Sequence, residues 1–213
     1  MKKSTTKTMI LAMMAVVSVL MAAQIAKAGI SGTKHDLTTA ANGGAYVTGT
    51  NLQICVFCHT PHNAQTTAPL WNRAANGSTF TTYGTTAAGT TAGAPGDKST
   101  ICLSCHDGNT AVNTILVTPA TMTGVTPAGT RQTAGKLTSG SALIGTDLRN
   151  DHPVGIAYPA TGLYTAVGSL VDVKVYTNKV ECASCHDVHD NTDSPFLRVA
   201  NTGSALCLKC HTK

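Results

Sequence analysis

The chain has 213 residues and a formal net charge of +5; 42% of its residues are hydrophobic, but only 4% are aromatic. Ala and Val supply much of the apolar fraction, so side-chain burial alone offsets little of the conformational entropy lost on folding. This composition excludes a large core of bulky side chains and predicts that something else fills the middle of the protein.

The first 28 residues have the pattern of a secretory signal peptide. Three lysines among the first seven residues precede an apolar run, Met9–Ala23, and Ala26-Lys27-Ala28 then has the small–x–small pattern of a cleavage site. A membrane anchor is the alternative, but spanning a bilayer takes about 20 apolar residues, and this run is shorter. We therefore expect cleavage after residue 28, export, and no transmembrane segment in what remains.

Removal of this segment changes the charge argument. It contains four lysines and no acidic residue, so the remaining chain has a formal charge close to +1. Nucleic acid and other polyanions therefore gain no support as partners.

All eight cysteines fall into four copies of one pattern, C-x-x-C-H. The copies are Cys55-Val-Phe-Cys58-His59, Cys102-Leu-Ser-Cys105-His106, Cys182-Ala-Ser-Cys185-His186 and Cys207-Leu-Lys-Cys210-His211. This is the attachment motif of c-type haem, in which two thiols bond to the porphyrin vinyl groups and the adjacent histidine ligates the iron. The sequence thus predicts four covalently bound haems, with His59, His106, His186 and His211 as proximal ligands.

Disulfides and a four-cysteine zinc site are the two competing interpretations of paired cysteines in an exported protein. Neither accounts for a histidine directly after each of the four pairs. Haem attachment accounts for every cysteine and for those four histidines together.

The other four histidines equal in number the four sixth coordination positions. They are His35, His62, His152 and His189. Beyond the signal peptide the chain keeps only one methionine, Met122, so bis-histidine ligation is predicted for nearly all haems. Since His62 and His189 each follow a proximal histidine by three residues, the tether is too short to reach the opposite porphyrin face. Each should ligate a neighbouring haem.

The motif order occurs twice: a free histidine, then CxxCHxxH, then CxxCH. This predicts two duplicated two-haem modules, at about 29–115 and 146–213, within one tetrahaem domain of residues 29–213. By analogy between modules, the distal ligands are His62 for the haem on Cys102/Cys105, His189 for Cys207/Cys210, His35 for Cys55/Cys58 and His152 for Cys182/Cys185. Exchanges among these assignments stay open.

The predicted fold class is an irregular multihaem cytochrome c, mostly coil and loops wrapped around four haems, with short helices and few short strands. Thr/Gly/Ala-rich segments, Thr79–Gly96 and Thr118–Gly145, are predicted as surface loops with a few short strands. Alternation predicts one strand over Val171–Tyr176. Ser204 is the predicted N-cap of a helix over Ala205–His211.

The stretch Glu181–Asp190, followed by Phe196-Leu-Arg198 and Leu206–His211, resembles the paired module of cytochromes with doubled CxxCH motifs. The surroundings of His35, His62 and His152 also resemble distal-ligand contexts of that family. Within the family, a tetrahaem chain of this size with a signal peptide is similar to the extracellular cytochromes of Geobacter-type metal-reducing bacteria. That resemblance implies a filament with stacked haems and a distal histidine supplied by a neighbouring subunit, for which His35 is the candidate.

Because both axial positions are filled, we expect electron transfer and no catalysis, with redox cytochromes and external electron acceptors as partners. The preferred function is an extracellular or cell-surface conductor. A soluble periplasmic shuttle is the alternative, which a dense lysine patch would favour. A multihaem reductase is a third possibility, but it needs an open haem, often marked by a departure from CxxCH, and all four motifs are regular.

Overall fold

Irregular backbone dominates this protein, as the sequence predicts. The computed structural model describes residues 29–38, 47–66, 68–87, 89–159 and 162–212. The predicted signal peptide lies outside these residues. The helices and strands between them are short, so the fold class of a mostly coil multihaem cytochrome is confirmed.

Each CxxCH motif lies on a helical turn. The α-helices in the described part of the chain are α1 (Asp97–His106), α2 (Cys182–Cys185) and α3 (Cys207–Cys210), and 3-10 turns occupy Ile54–Phe57, Val167–Ser169 and Thr202–Ser204. Residues three apart on a helical turn share one face, so each motif presents both thiols to the same side. This local geometry fits attachment of one porphyrin edge per motif.

Within the described residues, six strands form three separate antiparallel pairs. They are β1 (Val47–Thr50) with β2 (Thr123–Pro127), β3 (Gln132–Thr133) with β4 (Lys136–Leu137), and β5 (Ile156–Ala157) with β6 (Lys179–Val180). A two-residue turn joins β3 to β4, with φ of 50° at Ala134 and 83° at Gly135. Positive φ at both central residues is the geometry of tight hairpins.

Two local predictions are wrong. The strand predicted over Val171–Tyr176 is absent because Asp172 has φ of 72°, which ends extended backbone, and pairing starts only at Tyr176, which bridges to Lys179. The helix predicted to start after Ser204 begins at Cys207. Ser204 itself has φ of 64°, whereas an N-cap residue needs extended backbone.

The hydrophobic core is small and lies under the first two CxxCH motifs. Its buried members are Val47, Val56, Phe57, Val112, Met122 and Leu137, with Cys105 packed against them. A cluster of this size supports only part of a chain this long. The remaining stability has to come from polar contacts and from the bound groups.

Gly155 holds the segment after His152 against residues 93–94. Its φ is +70°, and a Cβ there would lie 2.5 Å from the carbonyl oxygen of Ala94. Gly155→Ala should therefore lower the free energy of unfolding by about 3 kcal/mol, from the left-handed backbone and the overlap together. Urea unfolding of the holoprotein measures this.

Gly145→Ala is the matched control, because its φ is +80° and nothing lies within 4 Å of the added Cβ. It should show the backbone cost alone, about 1 kcal/mol. Equal losses in the two variants would contradict the close approach of Ala94.

Candidate haem sites

The eight cysteines are all free thiols in this structure. Burial raises the pKa of Cys58 to about 12 and that of Cys185 to about 11. A hydrogen bond between the thiols of Cys102 and Cys182, together with burial, also raises the pKa of Cys102. The second and third motifs are therefore in direct contact through one thiol each.

The alternatives of disulfide and zinc gain no support from this arrangement. The cysteines of each motif are unpaired, and no group of three or more His, Cys, Asp or Glu in the described ranges could hold a metal ion. Each motif keeps its two thiols beside its own histidine, as haem attachment requires, and a thiol contact joins the second and third motifs at Cys102 and Cys182.

Three of the four proximal histidines are oriented by a backbone carbonyl. The Nδ1 atoms of His59, His106 and His186 lie 3.1, 2.6 and 3.0 Å from the carbonyl oxygens of Pro69, Ala142 and Pro195, respectively. A metal-bound histidine usually donates its other ring N–H in this way, which fixes the ring and raises its basicity. The geometry leaves Nε2 of each ring for iron.

Six of the eight histidines lie in pairs at the separation that an iron between two imidazoles requires. The ring-centre distances are 6.0 Å for His35–His106, 6.0 Å for His59–His189 and 6.4 Å for His152–His211. With metal–nitrogen bonds of about 2.0 Å, two opposed imidazoles have centres about 6.3 Å apart. The separations of these three pairs therefore fit bis-histidine ligation of three haems.

These pairs differ from the assignment made by analogy between modules. His106 lies beside His35, whereas the analogy gave it His62; His59 lies beside His189, and His211 beside His152. The N-terminal segment crosses to the second module, where Gly29 donates a hydrogen bond to the carbonyl of His189. His35 thereby packs onto the second module, with its ring centre 4.5 Å from that of Phe196.

The surroundings of His35 favour its neutral form, which is the form that binds a metal. Burial, followed by the nearness of His106, His186 and His189, lowers its pKa to about 4. Its Nδ1 is buried without a hydrogen-bond partner. Of the candidate distal ligands, His62, His152 and His189 are exposed. Within the described residues, the ring contacts between histidines include neither His62 nor His186.

The loops after the first and third motifs repeat the same hydrogen bonds. In the loop after the first motif, Thr60 N donates to the carbonyl of Leu70, and Asn72 N donates to that of Cys58. In the loop after the third motif, Asp187 N donates to the carbonyl of Phe196, and Arg198 N donates to that of Cys185. Leu70 and Phe196 both have positive φ, 56° and 59°. The module boundaries stay a prediction, but the repeated loop agrees with a duplication.

Sequence reasoning missed the residue that joins the two modules, Glu181. Its side chain is buried and accepts hydrogen bonds from Gly96 N, at 3.1 and 3.2 Å, and from Ser99 Oγ. Ser99 Oγ in turn accepts from Cys182 N at 2.9 Å. The carboxylate thus caps α1, which carries the second motif, from the segment that carries the third.

Residues 174–213 match the family model described as a doubled CXXCH motif. No curated protein matches the chain. None of the described helices is both long and apolar enough to cross a membrane. Together with the ligand geometry, the family match supports a multihaem c-type cytochrome with covalently bound haem. The activity that the match supports is electron transfer. Bound haem supplies the one-electron chemistry; the polypeptide spaces, orients and insulates it.

Proposed function

We propose that this protein is an exported tetrahaem cytochrome that carries electrons to external acceptors as the subunit of an extracellular filament. Export is supported by the signal-peptide pattern of residues 1–28, and four haems by the four regular CxxCH motifs. The finer resemblance is to OmcE, a filament-forming cytochrome of Geobacter-type bacteria.

The observation that carries the filament proposal is the pairing of histidines. Three pairs lie at ligand separation within one chain, and His62 and His186 are left over. His62 is exposed and His186 is half-buried beside Pro195. A haem on Cys182 and Cys185 would take His186 from its own chain and His62 from the next subunit.

His62 replaces His35 as the proposed donor between subunits. His35 is half-buried, and its ring centre lies 6.0 Å from that of His106 of its own chain, which supports a role as a ligand within the subunit. A head-to-tail contact in which each chain gives one ligand and receives one generates a filament when the rotation between subunits does not close into a ring. Successive haems then form one continuous path for electrons.

Electron microscopy of untagged protein from the culture supernatant tests this proposal. We expect filaments from the unchanged chain and separate particles from His62→Ala, because one sixth ligand between subunits is lost. The separate particles should keep four haems and show one high-spin haem by absorbance. The control is Asn63→Gly, a neighbouring exposed residue with φ of 55° that glycine accommodates.

Monodisperse unchanged protein confined to the periplasm would overturn the filament proposal and favour a soluble shuttle. Filaments that persist in His62→Ala with all haems low-spin would exclude His62 as the ligand between subunits.

A further inference from the structure

Arg73 is a buried cation that takes no part in haem ligation or attachment. Its side chain is 1% exposed. Nη1 donates to the carbonyl of Val112 at 2.9 Å, and Nη2 donates to the carbonyls of Ser104 and Ala111 at 3.0 and 2.7 Å. Its Nε is buried with no hydrogen-bond partner. A buried charge bound only by neutral carbonyls is costly, so its retention calls for a function.

This cation lies between the first two haem-attachment motifs. One acceptor, Ser104, directly precedes Cys105, and the neighbouring Asn72 donates its backbone N–H to the carbonyl of Cys58 at 2.9 Å. Arg73 is thereby joined to the second motif by its own hydrogen bond and to the first motif through the adjacent Asn72. A single charge therefore lies beside two of the segments that would attach haems.

The second module has a different electrostatic arrangement. Its Arg198 occupies the loop position that corresponds to Asn72 and forms an ion pair with Asp187 at 3.0 Å. Among the described residues, Arg73 has no such carboxylate partner. Asp107, two residues after Cys105, accepts hydrogen bonds from Ser78 and Thr110 and none from Arg73.

We propose that Arg73 raises the reduction potentials of the two haems on Cys55/Cys58 and Cys102/Cys105 above those of the second module. A nearby positive charge favours the reduced, electron-richer state of each haem. Electrons that enter through the second module are thereby drawn toward the first. This inference rests on the haem assignment and is independent of filament formation.

Redox titration of the holoprotein, followed by haem absorbance, tests the proposal. A unit charge at about 10 Å, in an effective dielectric constant of about 20, changes an equilibrium constant by about tenfold. Arg73→Met should therefore lower two of the four potentials by about 59 mV each, the one-electron equivalent of tenfold. The other two should stay unchanged.

Two further variants separate charge from packing. Arg73→Lys keeps the charge and should keep the four potentials, and Arg149→Gln removes an exposed arginine, 62% accessible and paired with Asp147, without effect. Equal shifts in Arg73→Lys and Arg73→Met would assign the residue a packing role and overturn the proposal. No shift in Arg73→Met would also overturn it. Haem stoichiometry of each variant tests the haem assignment separately.

The order in which the haems are reduced in protein that keeps Arg73 gives a second test. This test does not require the Arg73→Met variant to fold. His152→Met changes one axial ligand of the haem on Cys207/Cys210 and thereby marks its potential. The potential that His152→Met changes identifies this haem in the titration of the unsubstituted protein. There, it should be one of the two haems that are reduced last. Reduction of that haem first would contradict the proposal.

Discussion

Replacing Glu181 with alanine is expected to lower the free energy of unfolding by about 3 kcal/mol, the loss typical of a buried charged hydrogen-bonding group. The carboxylate is 3% exposed and accepts from Gly96 N and Ser99 Oγ. Its removal leaves a buried hydroxyl and the first turn of α1 without acceptors. Because α1 carries the second CxxCH motif, the loss separates the two modules.

Urea unfolding of the holoprotein measures the effect of Glu181→Ala. Ser99→Ala should cost less, about 1 kcal/mol, because the carboxylate keeps Gly96 N as a donor. Asp147→Ala, which removes an exposed acidic residue, is the control and should leave the urea midpoint unchanged. Equal midpoints for Glu181→Ala and this control would contradict the buried contact between modules.

The second large effect concerns the haems themselves. Removing both thiols of the third motif, Cys182→Ala with Cys185→Ala, should prevent accumulation of folded protein. This motif lies at the module contact, where Cys182 N binds Ser99 Oγ and the Cys182 thiol meets that of Cys102. The small side-chain core cannot replace a haem lost from the contact between the modules.

The fourth motif provides the matched comparison. Cys207 is exposed, and α3 is held at the edge of the described fold by Thr165, whose backbone N–H donates to the carbonyl of Cys210 at 2.8 Å. Cys207→Ala with Cys210→Ala should therefore accumulate with three haems. Haem-stained gels and intact mass report both results. Equal accumulation of the two double variants would contradict the role of the third motif at the contact between the modules.

The sequence predicts features that are encoded locally. Each CxxCH pattern is five consecutive residues, so its helical turn and proximal histidine follow from spacing alone. The shortage of bulky residues likewise predicts a mostly coil fold. The prediction for Val171–Tyr176 was wrong because alternation of polar and apolar residues does not reveal the backbone conformation of Asp172. Its left-handed backbone ends the extended segment.

The distal pairing and the module contact depend on contacts between distant parts of the chain. Gly29 binds His189, and His35 packs on Phe196, so the N-terminal segment crosses to the second module. Analogy between modules treats each as self-contained and misses this crossing. Glu181 stands beside a recognisable motif, but its partner Gly96 lies 85 residues away, and no local pattern relates the two.

The most direct test of the tetrahaem assignment is the intact mass of the exported protein under denaturing conditions, which keep thioether bonds. We predict the mass of residues 29–213 plus four haems, in one species. A mass with fewer haems, in protein whose cysteines are otherwise unmodified, would contradict attachment at all four CxxCH motifs and the continuous electron path built on them.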